Sequence, residues 1–175
     1  MATAVRPMTA RHPERVAVPA GTRRGAWLFA TPGDAGATAA RVTLGLVMFP
    51  HGAQKLLGWF GGHGFSGTMG YFTEHAGLPW IAAFLVIVAE FFGSLGLLVG
   101  FLGRLAAAGI AAVMVGAIVM VHLPHGFFMN WQGTQAGEGF EFHLLALGLA
   151  AVVLIRGSGA LSIDRGLATR RRERS

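Results

Sequence analysis

Lys55 and Glu90 each lie inside a long apolar stretch. A charge at the centre of a bilayer costs at least about 2.5 kcal/mol, so such residues are rare and are kept for pairing or for function. Residues of related chemistry sit close by in the pattern. His51 precedes Lys55 by four residues and shares its helix face, Gln54 adjoins Lys55, and Glu141 and His143 open another apolar stretch. Together these six form a candidate buried polar layer. Carboxylate, ammonium and imidazole at one depth can relay protons, hold the head of a quinone, or lock helices in register. Imidazole titrates near neutral pH, which suits proton transfer. His122 and His125, at the end of the third stretch, are secondary candidates. Metal-ligand types are present in His122, His143, Glu90 and Glu141, but no compact ligand motif such as HExxH occurs, so no metal is expected. Unpaired, Lys55 or Glu90 would shift its pKa toward the neutral form, so the two are expected to pair.

The elements that must carry these residues are membrane spans. The chain has 175 residues, is 53% hydrophobic and only 13% charged, and has a mean hydropathy of +0.56. That is too apolar for a typical soluble domain. Four candidate spans cover about 41–60, 79–102, 105–121 and 140–155. A helix needs roughly 20 residues to cross the hydrocarbon layer. The first two meet that length, the third does if His122 and Leu123 extend it, and the fourth needs neighbours to shield its polar face. The fold expected is an all-α, integral membrane four-helix bundle over 36–168. It is flanked by a disordered basic N-terminal tail (1–35) and a basic C-terminal tail (169–175). Within the first tail, Trp27-Leu28-Phe29 is read as a surface-lying run. No apolar core precedes Gly36, so no cleaved signal peptide is expected. The chain has no cysteine, which excludes disulfide, thiolate-metal and dithiol chemistry within it.

Charge sets the orientation. The net charge is +6, and of 14 Lys and Arg residues only Lys55 falls outside the N-terminal tail, Arg41, the Arg104 turn or the segment from Arg156 onward. The connections 61–78 and 124–139 have neither Lys nor Arg. The positive-inside rule then places both termini and the Gly103-Arg104 turn in the cytoplasm. The arginines therefore mark a membrane face, and no nucleic-acid partner is expected. Arg170-Arg171-Arg172 is positioned to touch anionic lipid. Trp59, Trp80 and Trp131 fall near the opposite boundary, where an aromatic belt belongs.

The same arginines serve as rulers. At 1.5 Å per residue, Lys55 lies roughly 21 Å from Arg41 and Glu90 roughly 21 Å from Arg104. His143 and Glu141 lie about 20 and 22 Å from Arg156. The polar residues thus share one height, about two-thirds of the way across. Close helix contact is expected along Gly93, Gly96 and Gly100, and along the small face Ala108, Ala112 and Gly116. Pro50 removes one backbone hydrogen bond inside the first span. Residues 61–64 read as a flexible loop, and Phe65, Met69, Tyr71 and Phe72 as a re-entrant or interfacial turn.

Several short motifs follow one another in order. The first span carries Phe49-Pro50-His51-Gly52-Ala53-Gln54-Lys55-Leu56-Leu57-Gly58. The second carries Ala89-Glu90-Phe91-Phe92-Gly93 and then Gly100-Phe101-Leu102-Gly103-Arg104. Later come His125-Gly126-Phe127-Phe128-Met129-Asn130-Trp131, Gly137-Glu138-Gly139-Phe140-Glu141-Phe142-His143, and Gly157-Ser158-Gly159-Ala160-Leu161-Ser162-Ile163-Asp164. Over about 38–167 this series resembles the DoxX family of small bacterial membrane proteins. Ser94 departs from the family pattern, where a second glycine often follows Gly93, and the basic N-terminal tail is an addition to it. The resemblance implies a four-helix protein of the bacterial inner membrane. It also implies an oxidoreductase association: members are often labelled oxidoreductases, and DoxD-type relatives are associated with thiosulfate:quinone oxidoreductase.

Three functions fit the residues. The first is a redox-associated subunit whose polar layer binds a quinone head while partner membrane or redox proteins carry the electrons; no covalent cofactor is expected. The second is a non-catalytic scaffold or assembly protein with a purely structural polar layer. The third is a small transporter or proton pathway. The lipid bilayer is a partner in all three.

Overall fold

The computed structural model describes residues 31–173. The segment 1–30, with its Trp27-Leu28-Phe29 run, and residues 174–175 lie outside the described residues. Those described form six α-helices and no strand. They are α1 (Ala35–Leu57), α2 (Gly64–Gly70), α3 (Trp80–Val99), α4 (Gly103–Ala117), α5 (Glu141–Arg156) and α6 (Ile163–Glu173).

Local chemistry sets the ends. The Asp34 carboxylate accepts hydrogen bonds from the Gly36 and Ala37 N–H groups at 2.9 and 3.2 Å, capping the start of α1. Gly58 closes α1 and Gly100 closes α3, both in the left-handed conformation that favours glycine (φ 75° and 71°). α1 continues through Pro50. α4 does not stop at Ala117. It continues through a π-helical turn, Ile118–His122, and a 3-10 turn, Leu123–His125, into one apolar rod from Gly103 to His125. The third span therefore gains the extra length it needed.

α3 and the α4 rod are apolar and long enough to cross a membrane, with mean hydropathies of 2.3 and 2.2. A soluble core helix of that character would be mostly buried, yet only 33% and 17% of their most apolar windows are covered by protein. Large apolar side chains such as Leu85, Phe92, Leu105 and Val119 point outward. An apolar exterior of this extent suits lipid.

α1 packs on α3, α3 on α4, α4 on α5, and α5 back on α1. The enclosed core is built from Leu44 and Met48, Leu97, Ile110 and Met114, and the small residues Ala107, Ala146 and Ala150. Small residues let the backbones come close. At Gly52 a Cβ would lie 2.6 Å from the Phe91 Cα and N, so only glycine permits this α1–α3 approach. Gly93 and Gly96 face α4 as expected. The other expected face differs. Ala108 and Ala112 are exposed and open space lies beside Gly116. Their spacing gives a stripe, but α4 turns Gly109 toward Ala89 instead.

The Arg41 end of this ring is closed by buried hydrogen bonds. Arg41 is 1% exposed. Its guanidinium donates to the carbonyls of Leu97, Leu98 (2.8 Å), Ser158 (2.8 Å) and Leu161 (2.5 Å). Two of these are carbonyls in the last turn of α3, where the Leu97 carbonyl also accepts from the Gly100 N–H. Arg104 donates to Leu154 and Ile155 at the end of α5, at 2.9 and 3.2 Å. Asp164, fully buried, supplies the opposing charge. It accepts from the N–H groups of Leu102 (2.9 Å) and Gly103 (3.0 Å) and from the Ser158 hydroxyl (2.6 Å). Leu102 sits at φ 51°, a strained conformation for a branched residue, and the Asp164 bond holds it there. Arg41 and Arg104, which the sequence marks as charges of one membrane face, are also buried hubs that bond the last-turn carbonyls of α3 and α5.

Removing the Asp164 carboxylate strands two amides and a hydroxyl beside two buried guanidinium groups. Asp164→Ala is expected to lower unfolding stability by roughly 3–5 kcal/mol, and Ser158→Ala by about 1 kcal/mol. Tryptophan-monitored thermal unfolding in detergent measures both, and equal melting temperatures would refute this account of the closed end. Asp34 gives a pH test. The Ala37 N–H first, and then Arg156 at 2.8 Å, hold its carboxyl below the ordinary value of 3.8. A depressed folded-state pKa means its contribution is complete above the unfolded value and disappears as pH falls through the folded one. Melting curves taken downward from pH 5 should show this loss in the wild type and a flatter profile in Asp34→Asn.

Candidate functional site

The opposite end of the ring holds the ionisable residues. Lys55, in the last turn of α1, meets Glu90, midway along α3. The ammonium Nζ lies 2.5 Å from the carboxylate Oε2. The Glu90 side chain is 4% exposed and that of Lys55 is 24% exposed. The pair lies beside the close α1–α3 approach at Gly52, so it bridges two helices whose backbones nearly touch.

Three histidines continue the cluster. His143, in the first turn of α5, is 7% exposed. Its ring centroid lies 4.1 Å from that of His122, inside the π-helical turn of α4. Such turns often mark functional positions because the extra residue re-aims side chains. The His122 Nδ1 lies 2.8 Å from the Glu138 carbonyl oxygen. A carbonyl only accepts, so Nδ1 carries the proton and neutral His122 keeps Nε2 as an acceptor. His143 Nδ1 is buried with no hydrogen-bond partner. His51 sits on the exposed side of α1, its ring 6.0 Å from that of Phe142. It lies within electrostatic reach of Lys55, Glu90 and His143. Five residues thus form a connected group: Lys55, Glu90, His51, His143 and His122.

Other candidates are engaged elsewhere. The Gln54 amide donates to the Phe60 carbonyl at 3.2 Å and ties down the turn after α1, where Phe60 adopts a left-handed conformation. Glu141 Oε1 accepts from the Met129 N–H and from the Trp131 indole N–H, both at 3.0 Å. It therefore fastens the long α4–α5 connection rather than meeting Lys55. Glu138 accepts from the Asn130 N–H at 2.7 Å and reinforces the same loop. His125 packs against Gly137, where a side chain would collide with its ring. Trp59, Trp80 and Trp131 are all exposed, at 53%, 60% and 84%. The segment read as a re-entrant or interfacial turn forms α2 and a π-helical turn, Tyr71–His75, with Thr68 and Met69 buried.

Among the described residues no group of three or more His, Cys, Asp or Glu is arranged to hold a metal ion. The cluster can still do proton chemistry. It combines a buried ion pair with imidazoles, one of which has an unused nitrogen.

The family model described as DoxX matches residues 36–123, half of the chain, from the start of α1 to the end of the α4 π-helical turn. The match contains His51, Lys55, Glu90 and His122. His143 and Asp164 lie beyond it. No curated protein and no solved structure matches the chain.

The ion pair makes a quantitative prediction. Lys55→Met leaves a buried carboxylate alone and is expected to cost roughly 3–5 kcal/mol. Glu90→Gln should cost less, because Lys55 can still reach solvent or headgroups. The double variant should recover part of the loss, with a coupling energy above about 1 kcal/mol. A double-mutant cycle read by thermal unfolding checks this, and strictly additive losses would show that the contact carries no energy.

Proposed function

Because the chain belongs to the DoxX family, it is a small membrane protein, and we propose that it is a multi-pass, redox-associated subunit of the bacterial inner membrane that receives a quinone head at the His51–His122–His143 cluster. In this reading α1, the α3 and α4 rods, and α5 cross the membrane as a four-helix bundle. Both termini lie on the cytoplasmic side, where the arginines concentrate. The observation that carries the reading is the unpartnered Nδ1 of buried His143 against the ring of His122.

A buried polar atom without a hydrogen bond costs about 1–3 kcal/mol, so a site that keeps one is poised for a ligand group. A quinone head fits the chemistry, since its flat ring suits the Phe142 ring that contacts His143 and His51 and its oxygens suit imidazole nitrogens. When bound, such a head supplies a carrier of two electrons and two protons. The chain contributes binding and protons. His143 would hold a head-group oxygen, His122 would support it through its ring and free Nε2, and His51 would connect the site to the Lys55–Glu90 pair. The chain has no cysteine, so the electrons come from a partner.

The ion pair itself favours a second reading. Lys55 and Glu90 already satisfy one another at 2.5 Å, with Glu90 sealed in. A pair closed in this way locks the register of α1 on α3, which is what a scaffold or assembly protein requires.

Quenching of tryptophan fluorescence by a short-chain benzoquinone, titrated into the detergent-solubilised full chain, separates the two. The redox-associated reading expects saturable binding that His143→Phe weakens about tenfold, the equivalent of one hydrogen bond. The phenyl ring keeps the stacking area, and an unchanged melting temperature certifies the fold. Absent binding, or binding indifferent to His143→Phe, would leave the scaffold.

A further inference from the structure

α6 has no role in the site, yet its two sides differ sharply. One side belongs to the protein: Asp164 is buried beneath the α3–α4 turn, and its N–H donates to the Gly100 carbonyl at 3.0 Å. About a quarter of a turn round the helix, Ile163 and Leu167 stand one turn apart and are exposed, at 47% and 38%. Leu161, just before the helix, is 79% exposed. Arg170 lies three residues beyond Leu167 on the same row, and Arg165 and Arg170 are both exposed. The sequence adds Arg171, Arg172 and Arg174 to this segment. Arg165 lies on the other side of the helix and donates to the Ala160 carbonyl at 3.5 Å, so the charge that continues the row is Arg170. An exposed apolar row that ends in arginine suits a membrane surface.

Two further observations identify what covers the row. The apolar exterior of the ring reaches the beginning of α6: Phe101 and Leu105, 42% and 60% exposed, adjoin the turn to which Asp164 is bonded. The surface that faces acyl chains thus continues onto Leu161 and Ile163. The charge also matches, because the only acid in α6 before its last residue is Asp164, which is consumed by the protein. We infer that α6 is an interfacial helix, with Leu161, Ile163 and Leu167 seated at the acyl boundary and Arg170 bound to the phosphates of anionic lipids. The bundle end and the bilayer surface then hold α6 on adjoining sides. This placement is independent of the quinone site.

The absence of native cysteine makes the test direct. A nitroxide on Leu167→Cys in the full chain is reconstituted into vesicles of phosphatidylcholine, with or without phosphatidylglycerol. Collision with oxygen reports lipid and collision with a nickel chelate reports water. In anionic vesicles the label should favour oxygen. Arg170 at the surface should raise the lipid-seated population roughly fivefold over neutral vesicles. Arg170→Gln should remove that gain, at an unchanged melting temperature. Equal nickel access in both vesicle types would overturn the inference. So would exclusion of both reagents, which would mean that a second copy or another protein covers the row.

Discussion

A helix end buried in protein must find its hydrogen bonds there, because water is excluded from it. Arg41 meets that requirement for α3 by donating into the last turn of the helix, and Arg104 does so for α5. Each brings a positive charge into the interior, and Asp164 compensates for both. The Asp164 carboxylate in turn allows the tight reversal at Leu102, which brings α4 back against α3. The direction and spacing of the helices at this end thus rest on one acid between two guanidinium groups. It is the kind of network whose partial removal is far more damaging than its absence.

The opposite end follows another logic. Its ion pair is satisfied, and its long loop is tied down by Glu141 and Glu138, yet the histidine contact leaves one nitrogen unpaired. A fold that closes one end with complete hydrogen bonding and retains an unmet one at the other has stability in excess of what that single atom costs. The deficit lies among titratable rings, which is the setting in which an unmet hydrogen bond points to a ligand.

Lys55 and Glu90 were legible from the sequence because apolar surroundings leave a charge few options. Counting residues from the arginines placed them at one height, and pairing followed. The helices were legible for the same reason, as long apolar runs ended by glycine. Gln54 and Glu141 passed the same height test but bond to turns and loops. Helical rise specifies depth, not direction, and the aperiodic connection 126–140 gives no hint of where its N–H groups point. The π-helical turn at Ile118–His122 was not legible either, because no residue type demands it, although it sets the aim of His122. The burial of Arg41 and Arg104 was not legible, since a lone arginine near a helix end looks alike whether it snorkels to headgroups or caps a neighbour. A signal was Asp164, an acid at the start of a segment otherwise rich in arginine.

The left-handed Leu102 turn also has a bearing on how the chain is made. The carboxylate that steadies it lies 62 residues downstream. A ribosome adding 5–20 residues per second delivers that acid about 3–12 seconds after the turn has emerged. Throughout this interval the corner lacks the carboxylate that holds it in the folded chain, so the turn is secured only once the start of α6 has been made.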